Sequence, residues 1–138
     1  MAYKIEIEST FAGFWRYNIA VTCGLFGDDG ERCGFVSAEN SVAPVGSNLD
    51  SAPAGTPSHR RLTFTADDCA RLRMYIYLIP HSLPQTEKIG ECKPFALTIK
   101  AEYDGEVVLR DRRSINQWSG ASIELDVERP QPRKPDTM

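Results

Sequence analysis

Strict alternation of apolar and polar residues recurs along this chain, and it constrains the fold more than any other feature. Residues 3–8 read Tyr-Lys-Ile-Glu-Ile-Glu, and the same period of two returns at 61–65, 95–103 and 121–127. Successive side chains of a β-strand point to opposite faces, so each run predicts a strand with one buried face. An amphipathic helix repeats every 3.6 residues instead, and the sequence holds no long run with that period.

Other segments predict strands of a different kind. Residues 14–26 and 73–79 are rich in β-branched and aromatic side chains but alternate less strictly, which is typical of central strands that are covered on both faces. Residues 33–38 can form a shorter strand. The clearest local signal is Asp104-Gly105 between two alternating runs, because a type I′ turn needs positive φ at both central positions. This dipeptide predicts a two-residue hairpin.

Together these segments predict an all-β domain. We expect an antiparallel β-sandwich of about seven to eight strands, with Greek-key connections as in C2-like or immunoglobulin-like sandwiches. Residues 65–72 can form one short helical turn that Thr65 or Asp67 would cap. Residues 1–127 are expected to form this single domain. Residues 128–138 carry prolines and basic side chains with almost nothing apolar to bury, which predicts a disordered tail.

A long irregular segment and the charge balance bear on function. Residues 40–59 hold proline and glycine among small polar residues, so we expect a long loop that is either mobile or functional. The 138 residues carry 16 basic and 19 acidic side chains, a net charge of −3 with both signs interleaved. Domains that bind nucleic acid are normally basic, so we expect no such partner. No run approaches the roughly 18 apolar residues of a transmembrane helix.

The start of the chain and its cysteines indicate a compartment. The alternation from Tyr3 onward is unlike the apolar core of a secretory signal, so with Met1 as the native start we expect a cytoplasmic protein. Disulfides belong to oxidising compartments, and free thiols are therefore expected. The four cysteines are Cys23, Cys33, Cys69 and Cys92.

Motifs that carry catalysis are missing from the sequence. There is no Gly-x-Ser-x-Gly, no glycine-rich phosphate loop, and no paired-cysteine or His-Glu-x-x-His motif. His59 and His81 are the two histidines, and a reactive thiol needs such a base beside it. A dyad of His81 with Cys92 or Cys69 is kept as an alternative, whereas the expectation is a protein that is not an enzyme and has no cofactor.

Acidic residues in predicted loops raise calcium as another alternative. Asp28, Asp29, Asp67, Asp68 and Asp50 lie in such loops, and calcium takes six to eight oxygen ligands. Aspartate is also common in turns for reasons unrelated to metal. We therefore assign no metal site and keep a calcium-dependent, C2-like surface-binding domain as an alternative function.

Aromatic side chains supply the binding candidates. Trp15 and Tyr17 lie in an aromatic cluster, and Trp118 follows Asn116 and Gln117 before the last strand. Exposed rings beside amides give a large contact area at low entropic cost, although most rings in a small sandwich belong to its core. The hypothesis is a non-catalytic interaction module that docks onto a partner protein, a larger assembly or its own copy. The alternative is a small-ligand or carbohydrate-binding module that uses the same rings.

Overall fold

Two four-stranded antiparallel sheets pack face to face in this protein, and the predicted β-sandwich is confirmed. The computed structural model describes residues 2–57, 59–85 and 88–130. Its strands are β1 (Ala2–Ser9), β2 (Tyr17–Phe26), β3 (Arg32–Asn40), β4 (Arg60–Asp67), β5 (Arg71–Pro80), β6 (Phe95–Tyr103), β7 (Glu106–Ile115) and β8 (Ala121–Glu128).

The order of the strands is not the order of the chain. One sheet has the order β4-β1-β6-β7 and the other β3-β2-β5-β8. The chain therefore passes from one sheet to the other at five of its seven connections. The connection between β6 and β7 stays within one sheet, and its central residues have φ of 49° at Asp104 and 84° at Gly105. The predicted two-residue hairpin is confirmed.

Alternation places the core where the sequence predicts it. In β1, Tyr3, Ile5 and Ile7 are fully buried, while the residues between them face solvent at least in part. Inward side chains of both sheets fill the space between them, and burying each large one contributes roughly 1.5–3 kcal/mol. The largest fully buried side chains are Tyr3, Tyr17, Phe14, Ile5, Ile7, Ile19, Leu72, Met74, Ile76, Leu78, Leu97 and Ile99.

The segment before β2 differs from its prediction. Residues 14–16 are predicted as strand, whereas Ala12–Arg16 form a 3₁₀ turn and β2 begins at Tyr17. The Phe14 N–H closes this turn by donating to the Phe11 carbonyl at 3.0 Å. The chain crosses here from one sheet to the other, and a tight turn makes the crossing while it keeps Phe14 buried.

The helical turn predicted at 65–72 is wrong. Strand β4 continues through Asp67, and the N–H of Ala70 donates to the Phe26 carbonyl at 3.0 Å. Tertiary pairing takes up the backbone groups that a helical turn would need. A second 3₁₀ turn lies at Ile89–Glu91 instead. No helix within the described residues is both long enough and apolar enough to cross a membrane.

The two ends of the sandwich carry different connections. Antiparallel pairing sets this arrangement, since Ser9 lies opposite Arg60 and Tyr17 lies opposite Pro80. The end with these residues is called the long-loop end, and the opposite end is called the tight-turn end. The long-loop end holds residues 10–16, the described residues of 41–59 and of 81–94, and residues 116–120; the tight-turn end holds 27–31, 68–70 and 104–105.

The long segment after β3 is anchored over its first half. The Asn18 side-chain amide donates to the Ala43 carbonyl at 2.7 Å, and the Leu49 N–H donates to Ser82 Oγ at 2.7 Å. Residues 51–57 are mostly exposed and contain one local turn. The first half of the predicted loop, here called its anchored half, thus packs on its neighbours, whereas most residues of the second half are exposed.

The body of the domain extends beyond residue 127. Glu128 ends β8, and the N–H of Arg129 donates to the Ala70 carbonyl at 2.9 Å. Residues 131–138 of the predicted tail lie outside the described residues, so their disorder stays a prediction.

Candidate functional site

A cavity of about 380 Å³ opens at the long-loop end. Its wall is formed by the 3₁₀ turn before β2, by described residues of the connection between β5 and β6, and by the turn between β7 and β8. Ligand cavities in proteins typically have such a largely apolar wall with a few convergent polar groups. The principal wall residues are Phe11, Trp15, Arg16, Pro84, Cys92 and Gln117.

The 3₁₀ turn builds one side of the cavity because it leaves room for a guanidinium. Gly13 has no side chain, and a Cβ at this position would lie 2.5 Å from Arg16 Nη2 and 2.8 Å from the Phe11 ring. A larger residue would displace one of these two groups. Arg16 therefore folds back over its own turn, where its Nε–H donates to the Gly13 carbonyl at 3.3 Å.

Arg16 is the buried charge of the cavity, with only 6% of its surface exposed. Its guanidinium carbon lies 5.7 Å from the ring centroid of Phe11 and 5.9 Å from that of Tyr17. At these distances the rings attract a cation. Nη2 donates to Oε1 of Gln117 at 2.7 Å. Among the described residues no carboxylate pairs with Arg16, so ring faces and neutral oxygens are its only partners there.

Gln117 joins three segments of the chain. Its Oε1 accepts from Arg16, and its Nε2 donates to the Lys93 carbonyl at 2.7 Å. Its own carbonyl accepts a short hydrogen bond from the Tyr17 hydroxyl. The side-chain amide is thus fixed from both sides, and it holds the Arg16 guanidinium in place.

A layer of aromatic rings lies beneath the cavity. Phe11 stacks on Phe95 with centroids 4.5 Å apart, and Tyr17 contacts the same ring at 5.3 Å. Phe14 completes the layer at 5.8 Å from Phe95. Burial raises the pKa of Tyr17 from 10.0 to about 12, since the phenolate would lose its water. Close packing of these rings makes the floor of the cavity rigid.

A second buried guanidinium supports the turn from the side of β4. Arg60 is 3% exposed and donates from Nη1 to the carbonyls of Phe14 and Tyr17, at 2.7 and 2.8 Å. Its Nη2 donates to the backbone and side-chain oxygens of Asn40 at 3.0 and 3.1 Å. Burial lowers the pKa of Arg60. Four neutral oxygens therefore satisfy this cation, which ties β3 and β4 to the start of β2.

His81 and Ser82 are buried behind Trp15. His81 Nε2 donates to the Trp15 carbonyl at 2.7 Å, which leaves Nδ1 to accept from the Ser82 hydroxyl at 2.7 Å. Both ring nitrogens are thereby occupied. Within the described residues neither Cys92 nor Cys69 is hydrogen-bonded to this ring, so the hypothesised dyad is not formed.

The structure brings the five predicted contact residues together, but they play different parts. Trp15, which is half-buried, and Gln117 line the cavity. Tyr17 is fully buried, so it supports the site rather than forming the exposed ring that the sequence predicts. Asn116 shapes the adjacent turn, where its Oδ1 accepts from the Trp118 N–H at 2.8 Å. The half-buried Trp118 keeps its indole N–H away from solvent, with no acceptor among the described residues.

Four of the five acidic residues considered for calcium lie at the tight-turn end, whereas Asp50 lies in the connection between β3 and β4 at the long-loop end. At the tight-turn end, Asp28 and Asp68 converge on the guanidinium of Arg129, at 2.9 and 3.3 Å. Asp29 accepts a backbone N–H of its own turn at 2.9 Å, and Asp67 is an exposed residue of β4. The described residues contain no group of three or more His, Cys, Asp or Glu that could hold a metal ion. Arg129 therefore already pairs with two of these carboxylates, those of Asp28 and Asp68.

The four cysteines are free thiols in different surroundings. Cys23 and Cys69 are buried, and desolvation raises the pKa of the Cys23 thiol to about 12. Cys33 is exposed on β3, and Cys92 lies in the wall of the cavity. The buried pair therefore behaves as part of the core.

Arg16 is a candidate site residue that the sequence analysis did not predict. It stands among aromatic and small residues in Gly13-Phe14-Trp15-Arg16-Tyr17. A charge inside an apolar run either points to solvent or is buried with polar partners. This signal marks the position as unusual, although it does not identify the partner.

Comparison with protein-family models and with curated proteins gives no match for this chain. One solved structure, a DUF4425 family protein from Bacteroides ovatus, is similar over 91% of this chain and 90% of that chain. The two share 12% sequence identity, with a TM-score of 0.39. The residues of the cavity are therefore the basis for a functional proposal.

Proposed function

We propose that this protein is a non-catalytic interaction module that holds a segment of a partner protein in the cavity at the long-loop end. The observation that carries the proposal is the cavity itself, a rigid and largely apolar cleft with Arg16 and Gln117 directed to the same space. Binding hot spots are commonly aromatic or arginine residues in such pockets. Trp15 and Phe11 supply the aromatic surface here.

Rigidity of the wall supports this role. Binding is tighter when the site loses little freedom on association. The aromatic layer, the Gln117 amide and the Arg60 guanidinium fix the wall through contacts within the protein. A partner segment would therefore meet preorganised groups.

The surroundings of His81 support a binding role over a catalytic one. Both His81 and Ser82 are almost fully buried, and they hydrogen-bond to each other and to backbone groups. A general base must reach the proton that it removes. These two residues instead hold the anchored half of the long loop against the turn that carries Trp15.

A peptide selection tests the proposal. A random peptide library is selected on the wild-type protein, and the enriched peptides are then titrated against Trp15→Ala and Tyr77→Ala variants. Tyr77 lies on the outward face of β5, outside the cavity, so it is the matched aromatic control. We expect Trp15→Ala to weaken binding about 30-fold, the equivalent of roughly 2 kcal/mol. Tyr77→Ala should leave it unchanged.

Two results would contradict this proposal. Enriched peptides that lose affinity in Tyr77→Ala but not in Trp15→Ala would place the contact on the outer sheet face. A selection that enriches no peptide would argue against a peptide-binding cleft. Thermal melts of both variants establish that each compared protein is folded.

A further inference from the structure

We infer that the cavity binds a carboxylate group, with Arg16 as the residue that receives it. The inference rests on the proposed function, because it names the chemical group of the partner that enters the same cleft. The ligand class is a single carboxylate joined to an apolar or aromatic group.

The comparison of the two buried arginines leads to this inference. A guanidinium carries five N–H donors. In Arg60 both terminal nitrogens are used, with four contacts to oxygens at 2.7–3.1 Å. Arg16 makes two hydrogen bonds, through Nε and Nη2, and its Nη1 has no partner among the described residues. Arg60 is therefore a satisfied support, whereas Arg16 has donors left for a ligand.

Charge balance distinguishes Arg16 from the arginines at the other end of the molecule. At the tight-turn end Arg71, Arg73 and Arg129 each pair with a carboxylate, at distances of 2.9–3.3 Å. Arg16 is more buried than these and has no such pair within the described residues. A buried charge without a counter-charge is costly, so an incoming carboxylate would be strongly favoured.

The donor geometry of the guanidinium and the apolar walls of the cavity define the rest of the ligand. Carboxylates bind guanidinium groups through two parallel N–H donors, which Nη1 and Nη2 can offer. The walls beside Arg16 are the apolar Phe11, Trp15 and Pro84. Glu91 also lines the cavity, with 60% of its side chain exposed. Its carboxylate pairs with Lys88 at 3.7 Å. Arg16 is the one cationic side chain among the described residues that line the cavity, so the ligand carries one carboxylate on an apolar body.

The test uses two probes that differ only in their terminal group, the carboxylate of N-acetylphenylalanine and the uncharged carboxamide of N-acetylphenylalaninamide. Each is titrated into the 138-residue protein while NMR follows the Arg16 Nε–H and the Gln117 side-chain amide. A charge-assisted hydrogen bond is worth about 1.5 kcal/mol or more, so we expect the acid to bind at least about tenfold more tightly than the amide. Both reporter signals should shift with the acid.

Two variants show whether Arg16 causes the preference. Arg16→Gln should make the affinities for the acid and the amide equal. Arg61→Gln removes the same charge from the exposed face of β4, where Arg61 pairs with Glu8 at 3.1 Å, and should keep the preference. Arg16→Lys retains the positive charge but not the paired N–H donors, so this variant should keep only part of the preference for the acid. Backbone spectra establish that each variant is folded.

Several outcomes would overturn the inference. Equal affinity of the wild-type protein for acid and amide would remove the role of the carboxylate, while cavity binding as such would stand. An acid preference that survives in Arg16→Gln, or shifts confined to residues away from the cavity, would assign the anion to another site. No shift at about 10 mM of either probe would also overturn it. In each of these cases the peptide selection decides the proposed function separately.

Discussion

The two ends of the sandwich handle polar groups in different ways. At the tight-turn end, charges are exposed and paired, as in the contacts of Arg129 with Asp28 and Asp68. The long-loop end also has exposed ion pairs, such as Arg61 with Glu8, but it adds polar side chains that are buried and hydrogen-bond mainly to neutral groups. All buried polar or charged residues of the described chain belong to this end, namely Ser9, Arg16, Asn18, Arg60, His81 and Ser82.

This difference shows which end of the domain combines strongly stabilising polar contacts with the candidate site. Exposed ion pairs stabilise a fold little, because water competes for both partners. Buried hydrogen bonds are costly to break, because the remaining partner stays desolvated. The long-loop end is therefore a rigid construction of buried polar contacts, and the cavity lies within it.

Two glycines with positive φ give the largest expected contrast between the ends. Gly120 (φ 69°) lies in the β7–β8 turn, and a Cβ there would clash with the Leu78 carbonyl oxygen. Gly105 (φ 84°) lies in the opposite hairpin, where a Cβ meets nothing within 4 Å. We expect Gly120→Ala to cost about 4 kcal/mol and Gly105→Ala about 1–2 kcal/mol of unfolding free energy. Equal losses of unfolding free energy, measured by urea denaturation, would show that the β7–β8 turn shifts to accommodate the added methyl group.

Two arginines, one at each end, give the next largest expected difference in stability. Arg60→Gln leaves several buried carbonyl oxygens without a donor, and we expect a loss of about 3 kcal/mol. Arg129→Gln removes exposed ion pairs at the tight-turn end, so its melting temperature should stay close to that of the wild type. Similar melting temperatures for both variants would contradict the description of Arg60 as a buried support.

Alkaline pH should weaken the long-loop end through Tyr17. Its folded pKa of about 12 lies above the ordinary 10.0, so the unfolded chain loses this proton first as pH rises. Stability is therefore fully present below pH 10 and is lost between about pH 10 and 12, by roughly 2–3 kcal/mol. The gap in unfolding free energy between wild type and Tyr17→Phe should shrink over this window.

The matched variant for this experiment is Tyr103→Phe. Tyr103 lies at the tight-turn end, where its hydroxyl donates to Asp68 at 2.9 Å and this contact raises its pKa. Because its surroundings are open to water, its effect on the alkaline transition should be smaller than that of Tyr17. A larger effect of Tyr103→Phe would reverse the comparison.

Limited proteolysis gives the smallest and most local contrast, within the long-loop end itself. Residues 51–57 are mostly exposed, whereas Ala43 and Leu49 accept or donate hydrogen bonds to the body. We expect the first cut by a low-specificity protease within 51–57, and residues 41–50 to resist until later. Mass spectrometry of early fragments locates the cut, and early cleavage within 41–50 would show that the anchored half opens.

Much of the fold is predictable because its signals are local. Alternation in 3–8 and 95–103 reports which face of a strand is buried, and Asp104-Gly105 requires only its own backbone conformation. The start of β2 is not predictable in this way. An apolar run is compatible with both a strand and a buried 3₁₀ turn. The 3₁₀ turn forms here because the chain must cross from one sheet to the other.

The candidate site is predictable only in part for the same reason. Trp15 and Gln117 stand out by residue type, and both line the cavity. Tyr17 carries the same aromatic signal, yet it is buried, because composition does not say which ring faces inward. Arg16 is not predictable from the sequence. Its candidate role depends on the lack of a carboxylate partner among the described residues, and this is visible only in the folded structure.

The sequence by itself determined the strands, the alternation of their faces, the hairpin at Asp104-Gly105 and the sandwich class. Each of these follows from residues close together in the chain. Only the tertiary structure decided that Arg16 meets Gln117, which is 101 residues away, and that the arginine remains without a counter-charge among the described residues. Whether a buried charge is satisfied depends on every neighbour in space, and neighbours in space are fixed only when both sheets have packed.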